Sequence, residues 1–161
     1  MVFLQLWRQS QIHAIRLRGK GQPPEPVWVS NALGPQEPSL LYYRGMLYAL
    51  KDNGVLVCFD GRTGQENYRE ALGGECNSSP IASDGHIFVS NIRGDTFIVR
   101  AGARFELLAT NKLGERITAS PAVSGDAVIF RTDSHLYCIE NDRTASRPVS
   151  SAEGVVSKSA D

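Results

Sequence analysis

The sequence predicts an all-β fold, a partial β-propeller of four-stranded antiparallel blades, from three observations. First, the segments Gly45–Asp60, Gly85–Arg100 and Gly125–Glu140 align without gaps, each forty residues after the last. Each runs from its Gly through an apolar stretch to a turn (Asn53-Gly54, Arg93-Gly94, Asp133-Ser134). A second apolar stretch follows and ends in a charge, and Pro38, Pro80 and Pro121 stand upstream. A period near forty residues marks a propeller or a helical solenoid. Second, the runs MLYAL, VLVCF, HIFVS, TFIVR, AVIFR and LYCIE are short, rich in β-branched and aromatic residues, and bounded by Gly, Asn, Asp and Ser. These are hairpin signals, and none is long or periodic enough for paired helices. Third, Leu47–Leu50 and Ile87–Ser90 are apolar on both faces, as strands covered on two sides require.

Taken in order, the chain opens in mid-blade. Ala14-Ile15-Arg16 resembles Ile98-Val99-Arg100, and Trp28 precedes Tyr68 by one period, so residues 1–30 read as the second half of an earlier blade. Residues 31–140 hold two complete blades and one partial blade. The first complete blade has strands at Leu40–Tyr43, Met46–Lys51, Val55–Asp60 and Glu66–Arg69. The second has strands at Ile81–Ser83, His86–Asn91, Thr96–Arg100 and Phe105–Ala109. The partial blade has Ala122–Ser124, Ala127–Thr132 and His135–Glu140. Four strands in about forty residues is the arithmetic of a blade. Residues 141–161, rich in Ser, Ala and charges, read as a polar tail, disordered or loosely docked.

Composition narrows the function classes. The chain has 161 residues, with 17 Lys plus Arg against 17 Asp plus Glu, so the basic excess of a nucleic-acid binder is missing. A hydrophobic fraction of 42% suits a globular core. The three cysteines form no CxxC pair and match no zinc spacing. No apolar run reaches the ~20 residues of a membrane-spanning helix. The apolar start is short, Arg8 follows at once and no small-residue cleavage site appears, so this stretch carries no export signal.

Residues 58–68 carry a resemblance. Cys58-Phe-Asp60-Gly-Arg-Thr63-Gly64-Gln-Glu-Asn-Tyr68 is similar to the tryptophan-docking motif of quinoprotein propellers, Ala-x-Asp-x-x-Thr-Gly-x-x-x-Trp. Asp60, Thr63 and Gly64 match, Cys58 replaces the Ala and Tyr68 replaces the Trp. Asp and Thr side chains bond loop amides, Gly supplies a positive φ, and the aromatic packs on the neighbouring blade. SSPIASDGHIFV and ASPAVSGDAVIF also look like repeats of the pyrroloquinoline-quinone (PQQ)-like family, and the resemblance spans about Ala14 to Glu140. That family includes dehydrogenases using PQQ with calcium, the cofactor-free propeller lipoprotein of the outer-membrane barrel assembly machinery, kinase-linked sensor domains and other secreted bacterial propellers. The resemblance implies a periplasmic or secreted full-length parent, of which this chain reads as a C-terminal part. The motif occurs once in full, its Trp is replaced, and adjacent cysteines are absent. These departures point to a scaffold without cofactor or catalytic residues, binding a protein or small ligand. The alternatives are a remnant of a PQQ- and calcium-dependent dehydrogenase, or a sensor propeller.

Remaining candidates read mainly as structural. Cys58 and Cys138 share the register of Ile98 and read as core strand residues, too far apart to pair; Cys76 reads as a surface loop thiol. His13, His86 and His135 are scattered and suggest no metal site. Asp52, Asp84, Asp95, Asp126 and Asp133 read as turn residues. Their functional alternative is convergence on one loop face, with Asp95 the one to watch and Tyr42 and Tyr43 as possible binding aromatics. Arg8, Arg16, Arg18 and Lys20 read as a solvated edge. Terminal blades leave apolar faces and open edges, to be covered by missing blades or self-association.

Overall fold

Short apolar runs separated by tight turns fold here into successive antiparallel sheets. The computed structural model describes residues 1–6, 11–31 and 37–140. The first sheet is β1 (Val2–Leu6), β2 (Gln11–Arg16) and β3 (Glu25–Ser30). The second is β4 (Leu41–Tyr43), β5 (Met46–Leu50), β6 (Val55–Asp60) and β7 (Glu66–Ala71). The third is β8 (Ile81–Ser83), β9 (His86–Ser90), β10 (Asp95–Arg100) and β11 (Leu107–Lys112); the fourth is β12 (Ala122–Ser124), β13 (Ala127–Arg131) and β14 (Leu136–Glu140). Strands lie in chain order within every sheet and pair antiparallel throughout. No helix among the described residues is long and apolar enough to cross a membrane. This all-β architecture of three- and four-stranded sheets is the expected partial propeller.

Strand burial shows the radial layout. The first strands of neighbouring blades, β4 and β8, approach one another. The fourth strand β11 is exposed along its whole length, and β7 along most of it. Between sheets lies the core. Ile12, Leu47, Ala49, Val57 and Phe59 fill the first junction, with Phe3 and Trp28 packed against them. Tyr48, Leu50, Leu56, Cys58, Cys76, Ile87, Val89, Phe97 and Val99 fill the second. Each large apolar side chain buried this way contributes roughly 1.5–3 kcal/mol.

Where third and fourth strands pair, the register shifts at equivalent places: Ala14/Ile15, Cys58/Phe59 and Ile98/Val99. The residues opposite, Val27, Asn67 and Leu108, drop out of the ladder. A bulge there adds twist to the outer hairpin of each blade.

Three expectations need correction. The N-terminal unit is more than half a blade, because Val2–Leu6 pairs with Gln11–Arg16 and supplies the second-strand position. Second, the repeat is not gapless. Ser124 pairs with Ala127 where Ser83 pairs with His86 and Tyr43 with Met46, so β12 and β13 lie 41 positions after β8 and β9. The turn before β14 is one residue shorter and restores the period. The cause is turn chemistry: Arg44-Gly45 and Asp84-Gly85 have positive φ at both positions, as two-residue type I′ hairpins require, whereas only Gly125 does in Gly125-Asp126. Third, the fourth strand of the third sheet begins at Leu107 rather than Phe105, since Phe105 turns back onto Tyr68. Arg8 and the segment from Asn141 onward lie outside the described residues.

Candidate functional site

The docking turn is held locally and then used across a junction. Asp60 Oδ1 accepts the Arg62 and Thr63 amides at 3.0 and 2.8 Å and the Thr63 hydroxyl at 2.9 Å. The Gly64 amide donates to the Asp60 carbonyl at 2.9 Å. The Thr63 amide, then its hydroxyl, hold the Asp60 carboxyl below its usual pKa. Onto this turn comes Trp28 from the preceding sheet. Its indole N–H donates to the Gly61 carbonyl at 3.1 Å, and its ring stacks on Phe59 at 6.4 Å. Gly64, at φ 76°, is the surface the indole rests on: a Cβ there would lie 2.6 Å from Trp28 Cδ2. Sequence spacing placed Trp28 on a fourth strand but did not reveal that it docks on Gly64.

Tyr68 repeats the arrangement one junction later, with different chemistry. It meets Phe105 edge-on at 5.5 Å, and its buried hydroxyl has no hydrogen-bond partner among the described residues. The turn it faces, Ala101–Phe105, lacks the Asp-x-x-Thr-Gly pattern. Other groups make the junction. The Gly102 amide donates to the Tyr48 hydroxyl at 2.9 Å, the Cys58 thiol faces the Gly102 carbonyl at 3.6 Å, and the Gly85 amide donates to the Tyr43 hydroxyl at 3.0 Å. Burial pushes the Tyr48 hydroxyl up to about 12 and the Cys58 thiol up to about 11. Near the first strands a serine ladder runs through three sheets: the Ser39 amide donates to Ser79 Oγ at 2.9 Å, and the Ser79 amide to Ser120 Oγ at 2.8 Å.

The third junction is looser. Where the second sheet has Tyr43, Met46, Tyr48 and Cys58, the third has Ser83, His86, Phe88 and Ile98. Leu50 and Leu56 become Ser90 and Thr96, whose hydroxyls bond each other at 2.9 Å. Smaller side chains leave a cleft of about 610 Å3 between the third and fourth sheets, floored by Phe88, Ile98, Val128 and Ile139 and rimmed by Asp84, His86, Asp126 and Glu140.

The candidate loop residues do not share one face. Tyr42 and Tyr43 end β4, at the end of the sheets where first and second strands turn; Asp95 begins β10, at the opposite end. Tyr42 is exposed yet packs on Phe3 at 5.1 Å, while Asp95 accepts from Asn91 Nδ2 at 3.1 Å. The turn carboxylates divide likewise: Asp52, Asp95 and Asp133 at one end, Asp84 and Asp126 at the other. Arg16 and Arg18 pair with Glu25 at 3.5 and 2.7 Å. Sequence reasoning missed Glu115. Its carboxylate accepts from the Thr132 hydroxyl and meets His135 Nδ1, both at 2.6 Å, tying an interblade loop to the β13–β14 turn. The Thr132 hydrogen bond, then His135, hold Glu115 below its usual pKa.

Two cysteine expectations are overturned. Cys76 is a fully buried core residue, because its loop crosses the base of the second junction; burial raises its thiol to about 12. Cys138 is exposed, on the face of the fourth sheet that no described sheet covers. Cys58 is buried, and all three thiols are free. Among the described residues no group of three or more His, Cys, Asp or Glu is placed to hold a metal ion.

Comparison with known proteins matches this geometry. Residues 5–104 match the family model described as outer membrane protein assembly factor BamB, a model of PQQ-type repeats. No curated protein matches the chain. Among solved structures, the crystal structure of BamB from Moraxella catarrhalis is similar, with a TM-score of 0.67 and 15% identity. The match covers 83% of this chain and 41% of that one, so the chain spans well under two thirds of that protein's length. The family match takes in the docking turn, the Trp28 seat and both tightly packed junctions. The chain belongs to the BamB family of PQQ-type β-propeller repeats.

Proposed function

We propose that the chain is a non-catalytic propeller scaffold that presents the loop ends of its sheets to a protein partner, working in outer-membrane protein assembly on the periplasmic side. The observation that carries this reading is how its polar side chains are used. Asp60, Thr63, Ser79, Tyr43 and Tyr48 are engaged in turns and junctions, where they brace one sheet against the next. The match to a family described as an assembly factor supports the same reading. The Tyr42–Arg44 end suits protein recognition. Tyr42 is 54% exposed, and the Arg44 guanidinium lies over the Tyr43 ring at 5.2 Å. Aromatic and Arg side chains held rigid in this way are the usual anchors of protein interfaces. Site-specific photo-crosslinking tests it. A benzophenone side chain at Tyr42, in the chain expressed in the periplasm of a Gram-negative cell, should yield a discrete adduct with an assembly-machinery component or its barrel substrate. The same probe at Leu107, on the exposed outer strand, should yield none. Equal labelling from both positions, or no adduct from Tyr42, would overturn the assignment.

A further inference from the structure

The Arg44-Gly45 turn of the second sheet carries a strain that the matching turn of the third sheet avoids. Arg44 has a φ of 50°, and Asp84, at the same place one sheet on, has 44°. Asp tolerates the left-handed region because its short polar side chain bonds locally; Arg has no such compensation. A strained residue of this kind points to a use for its side chain. That side chain is held from two directions. The guanidinium lies over the Tyr43 ring at 5.2 Å, and the Tyr43 hydroxyl accepts from the Gly85 amide at 3.0 Å. It also rests on Gly85, where a β-carbon would lie 2.9 Å from Arg44 Nη1. Yet Arg44 is exposed, and its guanidinium makes no hydrogen bond or ion pair among the described residues, although Asp84 stands next to Gly85. Arg16, Arg18, Arg69 and Arg100 all meet carboxylates.

Neighbouring groups extend the same surface. The Gly45 carbonyl accepts from the Gly61 amide at 2.9 Å, which brings the Asp60–Gly64 turn alongside. Tyr42 lies on Gly61, where a β-carbon would be 2.5 Å from Tyr42 Cε2, and remains 54% exposed. Next to Gly61, Arg62 is exposed, and its guanidinium likewise has no hydrogen bond or ion pair among the described residues. The Asp60 carboxylate close by uses its Oδ1 on the Arg62 and Thr63 amides and the Thr63 hydroxyl. The second sheet has a described sheet on either side, so this patch is not an uncovered end face. We propose that Tyr42, Arg44 and Arg62 form the recognition patch for an acidic segment of a protein partner, with Arg44 as its specificity anchor. The inference rests on the scaffold reading and names the chemistry of the partner. The planar fork of Arg matches a carboxylate with two parallel bonds, and its fixing by Tyr43 and Gly85 lowers the ordering cost of forming them. An anionic membrane surface fits less well, since spread over this end of the sheets it would also meet Asp84 and Asp126 at the equivalent turns.

Crosslinking from a benzophenone side chain at Tyr42, in the whole chain expressed in the periplasm of a Gram-negative cell, tests this when Arg44 is varied. Arg44→Asn keeps a residue that suits the left-handed turn. It should melt no lower than the wild type by circular dichroism, yet give about tenfold less protein adduct. Arg62→Glu should lower the yield as well. Mass spectrometry of the wild-type adduct should place Asp or Glu in the crosslinked peptide, and reversing those carboxylates to Lys should restore the adduct in Arg44→Glu. Four results would overturn the inference while the scaffold reading stands: an undiminished adduct in Arg44→Asn, a much lower melting temperature in that variant, a crosslinked peptide without carboxylates, or no rescue by charge reversal. Labelling of lipid alone, or no protein adduct with Arg44 intact, would overturn both.

Discussion

Trp28 rests its indole against the backbone of Gly64 on the next sheet, so closely that a single β-carbon at Gly64 would lie 2.6 Å from the ring. The contact joins residues 36 positions apart and combines a left-handed backbone, an N–H bond to Gly61 and a stack on Phe59.

Gly64→Ala should therefore cost about 2 kcal/mol, from the strained positive φ together with the displaced indole. Urea unfolding followed by Trp fluorescence reads both the loss and the altered Trp28 environment. Gly19→Ala, where a β-carbon meets nothing within 4 Å, is the neutral control.

The two buried tyrosine hydroxyls of the second junction should separate cleanly. Tyr48→Phe strips the Gly102 amide of its acceptor and should cost about 1 kcal/mol. Tyr68→Phe removes a hydroxyl with no partner among the described residues and should leave stability unchanged or slightly raised. Chemical denaturation of the two variants side by side checks the contrast; equal losses would contradict it.

Much of this architecture is legible in the sequence, and the illegible parts share a physical cause. Strand limits such as Val55–Asp60 and Ile81–Ser83 can be read because period-two patterning and turn residues are local. The Asp60–Gly64 turn can be read for the same reason, since its bonds stay within five residues. What crosses between sheets cannot. Cys76 has a loop's polar neighbours and is buried by a junction its own sequence does not show. Cys138 sits in a strand pattern and is exposed because no described sheet packs on its face. Glu115 meets Thr132 and His135 only because an interblade loop passes a turn. The slip at Gly125-Asp126 is hidden because a glycine stands at the expected position while the pairing moves by one.

Thiol chemistry should follow burial. Cys58 and Cys76, raised to about 11 and about 12, stay protonated and covered at neutral pH, whereas Cys138 is open. Titration with a chromogenic disulfide should give one fast equivalent in dilute native protein and three in denaturant.

Acid should loosen the Glu115 node that ties the interblade loop to the fourth sheet. Asp60 and Glu115 have folded pKa values below their ordinary 3.8 and 4.5. For a depressed carboxyl the stabilisation is complete above the unfolded value and is lost as pH falls through the folded one. Stability should hold down to about pH 4.5 and decline below it through the window set by these two carboxyls together with Glu25 and Glu106, which are lowered likewise. In Glu115→Gln the contribution from the Glu115 node should already be missing at neutral pH, and the decline should be shallower. Denaturant midpoints across the acid range read the slopes.

A spectroscopic titration of the whole chain with PQQ in the presence of calcium tests the central claim most directly. A cofactor-free scaffold predicts no saturable change in the quinone spectrum and no calcium-dependent rise in the unfolding temperature. Stoichiometric, calcium-dependent binding would contradict it and return the chain to the quinoprotein enzymes.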